Sequence, residues 1–224
     1  VPVKSKHLSS VLYPKQILFQ AYAIPNSTQA PSSGTLPSKK NIKISHFLIP
    51  SISDWNIFLL TPYISPPAAI IFAEAAVSEG KQAVQSQSYG PEARGGASKA
   101  EVIISDNPIY HPKVINPDIV LAMTQQAADK YYGDLDKDNG LLIVDEDLVP
   151  NAPDFPHIIK VPITKMASEK LGKLLFANIV ALGIMVKLSG IVSLETVKQS
   201  VAHRVPPHTV DKNMQALELG YNAV

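Results

Sequence analysis

Hydrophobic and polar positions alternate most clearly over residues 97–105, where the sequence reads Ala-Ser-Lys-Ala-Glu-Val-Ile-Ile-Ser. A period of two residues is typical of a strand that has one face against a core. The sequence Asp106-Asn107-Pro108, which follows, favours a turn. This segment is therefore the clearest predicted strand of the chain, and it ends at Ser105.

From residue 55 onward, short apolar runs alternate with longer stretches of helix-forming residues. The apolar runs are bounded by turn-forming residues and predict strands at Trp55–Leu60, Lys81–Ser86, Asp118–Met123, Leu141–Asp145 and His157–Val161. The helix-forming stretches carry capping residues and predict helices at Ala68–Glu79, from Thr124 to Tyr132, from Thr164 or Ser168 to Gly190, at Leu194–Ala202 and from Thr209 to Gly220. Strands separated by helices require crossover connections, so we predict an α/β fold, a three-layer α/β/α sandwich with a largely parallel sheet.

Composition changes abruptly near residue 66. Of the 11 glycines and 19 acidic residues in the chain, only Gly34 and Asp54 lie in residues 1–66. That stretch has six lysines and eight prolines, so its net charge is +5 and no helix longer than about three turns is expected there. We therefore divide the chain into an irregular or atypical N-terminal segment, residues 1–54, and an α/β domain, residues 55–224.

Three interpretations of residues 1–66 stay open at this point. A targeting peptide can be basic and rich in serine, although mitochondrial-type peptides favour arginine and an amphipathic helix, which this stretch lacks. The second interpretation is a genuine irregular extension. The third is a sequence that is not the native N-terminal one.

Whole-chain composition excludes several classes of protein. With 224 residues, 46% hydrophobic and 17% charged, the chain has enough apolar residues for a substantial core and does not have the composition of a disordered protein. Its net charge of +1 gives no general case for nucleic-acid binding. The chain has no cysteine, which excludes disulfides, thiolate zinc sites, a cysteine nucleophile and cysteine-ligated iron–sulfur clusters. A lack of cysteine fits a reducing compartment, and we expect a cytoplasmic protein.

No membrane span is expected. The most apolar segment, Leu174–Val186, has thirteen residues, fewer than the ~20 that cross a bilayer, and it predicts a buried core helix. His203 and His208 stand apart beside Pro206-Pro207, so we expect surface residues and neither a catalytic histidine nor a metal ligand.

The most informative chemistry lies in residues 88–96, which follow a predicted strand. In parallel sheets, loops at the carboxyl ends of strands face ligands. Gly95-Gly96 permits positive φ or close approach of a ligand to the backbone, and Arg94 carries a guanidinium suited to a carboxylate or phosphate. Tyr89 adds an aromatic face and a hydroxyl. An ordinary surface loop, whose arginine pairs with Glu92 or with a neighbouring chain, explains these residues equally well.

This loop, Ser88-Tyr89-Gly90-Pro91-Glu92-Ala93-Arg94-Gly95-Gly96, resembles the signature loop of the γ subunit of 2-oxoacid:ferredoxin oxidoreductases. The similarity covers about residues 68–224 in consistent order and spacing, and it includes Glu74-Ala75-Ala76, Gly80-Lys81, Ala100-Glu101-Val102, Ser105-Asp106, Pro117-Asp118, Asn178 and Ala181-Leu182-Gly183. The residues from Tyr89 to Gly96 are most similar to the 2-oxoglutarate branch of the family, and the branched-chain 2-oxoacid enzymes come next.

The resemblance implies a subunit of an enzyme that converts 2-oxoglutarate to succinyl-CoA by oxidative decarboxylation and passes the electrons to ferredoxin. It implies thiamine diphosphate with Mg between α and β subunits, iron–sulfur clusters in cysteine-bearing partners that include a ferredoxin-like δ subunit as an option, and coenzyme A close to the γ subunit. It implies no catalytic residue and no metal ligand in this chain. The ligand-binding residues that it implies are Ser88, Tyr89, Gly90, Glu92, Arg94, Gly95 and Gly96.

One feature departs from the family pattern. Family members usually begin with a strand and a glycine-rich turn of the Gly-x-Gly-Gly-Gln-Gly type, which falls here at Thr61–Pro67, where no glycine occurs. Either the turn was lost or the sequence before about residue 67 is not the natural one. The composition break at the same place favours the second explanation.

Two other functions remain as alternatives. The first is a stand-alone nucleotide- or phosphate-binding module that uses Arg94 and Gly95-Gly96 without redox partners. The second is a purely structural assembly subunit. Co-purification separates both from the enzyme subunit, which is expected to bring cysteine-rich partners and thiamine diphosphate with it.

Overall fold

One sheet of seven strands organises residues 21–22, 54–60, 67–88 and 97–224, which are the residues that the computed structural model describes. The strands are β1 (Ala21–Tyr22), β2 (Asp54–Leu60), β3 (Gln82–Ser88), β4 (Ala97–Ser105), β5 (Ile119–Ala122), β6 (Leu141–Asp145) and β7 (Ile158–Val161). The helices are α1 (Pro67–Ser78), α2 (Gln125–Tyr131), α3 (Ile163–Leu171), α4 (Ala177–Ser189), α5 (Leu194–Arg204) and α6 (Val210–Tyr221). Helices and strands are interspersed along the chain in one mixed fold, which confirms the predicted α/β class.

Four strands of the sheet are parallel and lie in the order β2-β5-β6-β7. β4 lies between β2 and β3 and runs antiparallel to both, so β3 points in the same direction as the parallel strands. Only eight residues, 89–96, join β3 to β4, fewer than the dozen or more that a crossover between parallel strands needs, so antiparallel pairing is expected. Every residue of β5 and β6 is buried, as expected for parallel strands covered on both faces. The largely parallel sheet is thus confirmed, with β4 as the reversed strand.

Two crossover connections place helices on opposite faces of the sheet. The path from β2 through α1 to β3 moves toward one edge, whereas the path from β5 through α2 to β6 moves toward the other. Since crossovers between parallel strands are right-handed in nearly all proteins, opposite directions require opposite faces. α1 packs against α4 and α5 in one layer, and α2 packs against β5 from the other side. The three-layer α/β/α sandwich is therefore confirmed.

The prediction of one long helix from Thr164 or Ser168 to Gly190 is wrong. Gly172 has a left-handed backbone conformation with φ 76°, and its N–H donates to the carbonyl oxygen of Ser168 over 3.1 Å. A left-handed residue turns the chain away from the helix axis, and glycine adopts this conformation without a steric cost. The chain then makes a short 3-10 turn over Leu174–Phe176 before α4 begins. Two shorter helices, α3 and α4, therefore pack against each other where one was expected.

The apolar segment of α4 forms the centre of the helical layer. All residues from Ala177 to Val186 are buried, which confirms the expected core helix over that range, whereas Leu174 and Leu175 ahead of it are exposed. Within the described ranges, the structure has no helix that combines the length and the apolar character needed to span a membrane.

α4 and α6 cross at a pair of glycines. A Cβ atom on Gly183 would overlap the carbonyl oxygen of Leu217 and lie 2.7 Å from the backbone nitrogen of Tyr221. A Cβ atom on Gly220 would overlap the carbonyl oxygen of Val180 and lie 2.7 Å from its carbonyl carbon. α6 ends at Tyr221, one residue beyond the predicted end at Gly220, so Gly220 itself lies in the last turn of the helix. Its role is to let two helix backbones approach closely.

The buried Asp145 fixes the connections that follow β6 and β7. Its carboxylate accepts hydrogen bonds from the backbone N–H groups of Asp147 over 3.0 Å, Leu148 over 3.3 Å and Thr164 over 2.8 Å. Burial raises the pKa of Asp145 in spite of these three donors. Because Thr164 lies in the first turn of α3, the side chain ties the end of β6 to the start of that helix.

Side-chain caps begin two helices at the predicted residues. The hydroxyl of Thr124 accepts from the N–H of Ala127 over 3.4 Å, and that of Ser193 accepts from the N–H of Thr196 over 3.1 Å. The carboxylate of Glu79, just after α1, accepts from the N–H of Ser193 over 2.8 Å. The end of α1 is thereby tied to the start of α5.

The contact between Glu79 and Ser193 is expected to make stability depend on pH. Partial burial alone would raise the pKa of Glu79, but hydrogen bonds from Ser193 and Thr196 and the charge of Lys81 hold that pKa below its ordinary value of 4.5. A carboxyl group whose pKa is lower in the folded protein stabilises the fold above its unfolded pKa, and this stabilisation is lost as the pH falls through the folded value. We expect Glu79→Gln to lower the free energy of unfolding by about 0.5 kcal/mol at neutral pH.

Urea unfolding of both proteins across a pH series checks this expectation. The difference in free energy of unfolding between wild type and Glu79→Gln should shrink as the pH falls below 4.5. The control is Glu169→Gln, which removes an exposed carboxylate on α3. A Glu79→Gln difference that stays constant with pH contradicts the assignment.

Two sequence predictions lie outside the described residues. The first is the glycine-rich turn of the family, which was expected at Thr61–Pro67, where residues 61–66 are not described. The second is the irregular N-terminal segment, of which residues 1–20 and 23–53 are not described. The division into residues 1–54 and 55–224 therefore stays a prediction.

Candidate functional site

The predicted binding loop begins and ends at one edge of the sheet. β2, β3, β5, β6 and β7 all have their carboxyl ends at this edge, and ligands of α/β sheets bind outside it. Ser88, the last residue of β3, pairs with Lys99 of β4, so the chain leaves and re-enters the sheet there. The other predicted binding residues lie outside the described residues; these are Tyr89, Gly90, Glu92, Arg94, Gly95 and Gly96.

A polar cluster stands next to the two ends of the loop. The hydroxyl of Ser86 donates to the carboxylate of Glu101 over 2.8 Å, and the ammonium of Lys99 forms an ion pair with the same carboxylate. The side chains of Lys99 and Glu101 are 20% and 12% exposed, so most of the solvent is kept from this pair. The Nζ atom of Lys99 also lies 5.6 Å from the ring centroid of Tyr131 on α2, within cation–π range.

This cluster forms one wall of a cleft of about 410 Å³. The connection between β4 and β5 also lines this cleft, through Pro112 and Lys113. The cleft is lined by Ser86, Gln87, Lys99, Glu101, Pro112, Lys113 and Tyr131. Its charged groups are two ammonium groups and one carboxylate, and the carboxylate is already bound by a hydroxyl and an ammonium.

Reasoning from the sequence missed this cleft. The alternation along β4 predicts that Lys99 and Glu101 share a face of the sheet, and this is observed. Lys113 and Tyr131 join them only through the packing of α2 and of the long connection. Local sequence patterns carry no signal for such contacts.

A second groove, of about 560 Å³, lies between α1, α5 and β3. Glu74, which lines this groove, forms an ion pair with Arg204, so its carboxylate is engaged. His203 also lines the groove and is exposed, as is His208, which confirms both as surface residues. Across the described part of the chain, no group of three or more His, Asp or Glu side chains is placed to hold a metal ion.

Comparison with known proteins assigns the family. The sequence model of the pyruvate ferredoxin/flavodoxin oxidoreductase family matches residues 67–223. The chain belongs to this family. The match begins where glycine and acidic residues become frequent, and it includes the whole of the predicted loop.

The relatives and solved structures support the same assignment. The 2-oxoglutarate synthase subunit KorC of Methanocaldococcus jannaschii is 48% identical over 156 residues, which cover 68% of this chain and 82% of that subunit. The γ subunit of a keto/oxoacid ferredoxin oxidoreductase from Geobacter sulfurreducens PCA is 48% identical with a TM-score of 0.62, and the match covers 70% of this chain and 88% of that one. The resemblance inferred from the loop is therefore confirmed.

A third comparison concerns the fold. A chain of the 2-oxoglutarate:ferredoxin oxidoreductase from Magnetococcus marinus, solved with 2-oxoglutarate, coenzyme A and succinyl-CoA bound, has a TM-score of 0.66 at 17% identity. The match covers 76% of this chain and 31% of that chain. In that enzyme, the shared fold is thus one part of a much longer polypeptide.

Proposed function

We propose that this chain is the γ subunit of a 2-oxoglutarate:ferredoxin oxidoreductase, which converts 2-oxoglutarate and coenzyme A to succinyl-CoA and CO₂ and reduces ferredoxin. The observation that carries this proposal is 48% identity to a 2-oxoglutarate synthase subunit over 82% of that subunit's length. The loop from Tyr89 to Gly96 supports the same substrate, with a branched-chain 2-oxoacid as the competing one.

In this proposal the chain binds and orients coenzyme A and does not carry electrons. Its donor set does not fit a cysteine-ligated iron–sulfur cluster, because none of its 224 residues is cysteine. Thiamine diphosphate supplies the site that stabilises the carbanion during decarboxylation, so this chemistry needs no acid or base from the γ subunit. We place thiamine diphosphate and Mg between α and β subunits, and the clusters in cysteine-bearing partners that include a ferredoxin-like δ subunit.

The partner assignment has support from chain lengths. The same fold accounts for 31% of the matched Magnetococcus marinus chain, so there it is joined covalently to a larger remainder. We infer that separate α and β polypeptides take the place of such a remainder around this chain. The cytoplasmic location expected from the sequence stays a prediction.

We assign coenzyme A binding to the loop at the carboxyl edge of the sheet, with Ser88, Tyr89, Gly90, Glu92, Arg94, Gly95 and Gly96 as its binding residues. The guanidinium of Arg94 matches the geometry of a phosphate oxygen pair, and the two glycines beside it leave room for a ligand at the backbone. The position of the loop ends, at the edge where α/β sheets bind ligands, supports this assignment.

Substrate turnover by the purified complex tests the proposal. We expect reduction of a low-potential acceptor in the presence of coenzyme A, with kcat/KM for 2-oxoglutarate about tenfold or more above that for 2-oxoisovalerate or pyruvate, because a site that binds the second carboxylate loses that contact with the smaller acids. The isolated chain is the control and should show no turnover. Faster turnover of 2-oxoisovalerate would show that a branched-chain 2-oxoacid is the substrate. Activity of the isolated chain would contradict the subunit assignment.

A further inference from the structure

Asn139-Gly140 is the only Asn-Gly sequence in the chain, and it lies in the turn that leads into β6. Asparagine is a chemically labile residue, and a following glycine has no side chain to keep its backbone nitrogen from the asparagine amide. The glycine is required in this turn, because a Cβ atom on Gly140 would overlap the carbonyl oxygen of Asp136 and lie 3.0 Å from Cδ2 of Leu135. The fold therefore places a labile pair of residues directly before a buried strand.

The reaction open to this pair is deamidation. The backbone nitrogen of Gly140 loses its proton and bonds to Cγ of Asn139, while the bond from Cγ to Nδ2 breaks and Nδ2 leaves as ammonia. Water then opens the resulting succinimide ring at one of its two carbonyl carbons. The products are aspartate and isoaspartate, and in isoaspartate the main chain runs through the side-chain methylene. The reaction consumes one water, releases one ammonia and needs no oxidant or reductant.

Hydrogen bonds to Asp136 hold the reacting groups in place. The N–H of Gly140, which carries the attacking nitrogen, donates to the backbone carbonyl oxygen of Asp136 over 2.7 Å. Nδ2 of Asn139, the leaving nitrogen, donates to Oδ2 of Asp136 over 3.4 Å. The backbone N–H groups of Asp138 and Asn139 donate to Oδ1 over 2.9 Å and 3.3 Å, which is an Asx turn. The attacking and the leaving nitrogen are thus both bound by one residue.

The turn is also anchored to the neighbouring connections of the sheet. Nε2–H of His157 donates to the carbonyl oxygen of Asp138 over 3.0 Å. The N–H of Leu141, which follows Gly140, donates to the carbonyl oxygen of Asp118 over 2.8 Å. The nitrogen of Gly140 can reach the amide of Asn139 only after these contacts open locally, so the reaction rate follows the fraction of time that the turn is open.

We propose that Asn139 is a site of spontaneous deamidation and that the carboxylate of Asp136 sets its rate by keeping the turn closed. Isoaspartate at this position lengthens the main chain by one methylene just before β6, whose first residue, Leu141, pairs with Ile119 of β5. Every residue of β6 is buried, so the strand cannot shift its register to absorb the added atom without exposing core side chains. Formation of isoaspartate therefore destabilises the centre of the sheet.

Incubation of the full chain at mildly alkaline pH, followed by peptide mass spectrometry, measures the conversion of Asn139. We expect Asp136→Ala to raise the rate of conversion about tenfold, because it removes the charged acceptor that holds the turn. Asp136→Asn keeps a turn-forming side chain with one acceptor oxygen and should give an intermediate rate. The matched control is Asp134→Ala, which removes an exposed carboxylate of the same loop and should leave the rate unchanged.

The outcomes of this experiment decide the role of Asp136. Equal rates in wild type, Asp136→Ala and Asp136→Asn overturn the proposal, and so does an increase in Asp134→Ala as large as that in Asp136→Ala, which would assign the effect to loop charge. If Asp136→Ala does not fold, Asp136→Asn decides in the same way. Wild type unfolded in urea should convert at least about tenfold faster than folded wild type, and equal rates would show that the turn gives no protection.

Urea unfolding of the separated products tests the consequence for the sheet. Chains that carry isoaspartate at position 139 should unfold at a lower urea concentration than unmodified chains. Asn139→Asp is the control, because it has the charge of the other product without the longer main chain, and it should lie closer to wild type. Equal midpoints for isoaspartate-containing and unmodified chains would contradict the proposed effect on β6.

Discussion

Replacing Gly220 with alanine is expected to lower the free energy of unfolding by about 3 kcal/mol or more. The added methyl group would overlap backbone atoms of Val180, which belong to a helix and cannot rotate away as the tip of a side chain can. α4 and α6 must therefore move apart, and the apolar contacts along their shared face are weakened. Urea unfolding followed by circular dichroism measures the change.

Three further variants make this expectation specific. Gly133→Ala is the control, because a Cβ atom there meets nothing within 4 Å, and we expect a change within about 0.5 kcal/mol. Gly183→Ala should destabilise the domain as Gly220→Ala does. The double variant should lower the free energy of unfolding by less than the sum of the two single changes, because one separation of the helices relieves both overlaps. A Gly220→Ala protein as stable as wild type would show that the helices do not cross as described.

Local pattern determined the strands well, but it did not reveal the roles of Gly172 and Gly220. The predicted strand ranges 97–105 and 141–145 agree with β4 and β6 to the residue, because alternation or continuous apolar character and adjacent turn residues act within a few positions. Gly172 lies among helix-forming residues, and only its observed positive φ identifies it as the end of a helix. Gly220 was predicted to end a helix, yet its role depends on the backbone of α4, which is distant in sequence.

The candidate site shows the same division between local and distant information. The pairing of Lys99 with Glu101 follows from the two-residue period of β4, so the sequence indicates it. The approach of Lys113 and Tyr131 to this pair depends on how α2 and the connection from β4 to β5 pack on the sheet. The family was accessible through the nine-residue loop and the shorter matching segments around it, because strands combined with helices occur in many unrelated proteins.

Replacing Arg94 with alanine is expected to raise the KM for coenzyme A about 10- to 100-fold in the assembled enzyme. A hydrogen-bonded contact between a guanidinium and a phosphate contributes about 1.5–3 kcal/mol, and each 1.4 kcal/mol corresponds to about tenfold in affinity. The KM for 2-oxoglutarate should stay constant, since the contact is made to the other substrate. Steady-state kinetics with each substrate varied in turn measures both constants.

The chain offers a matched control for this experiment, because Arg204 is its only other arginine. The guanidinium of Arg204 pairs with Glu74 between α1 and α5, and both side chains are 41% exposed, so Arg204→Ala should change neither KM. Arg94→Lys keeps the charge but loses the planar pair of donors, and we expect it to recover only part of the affinity. If Arg94 instead bridges to a partner carboxylate, Arg94→Ala will loosen the complex at an unchanged KM for coenzyme A. Unchanged kinetics together with unchanged subunit association would show that Arg94 is an ordinary surface residue.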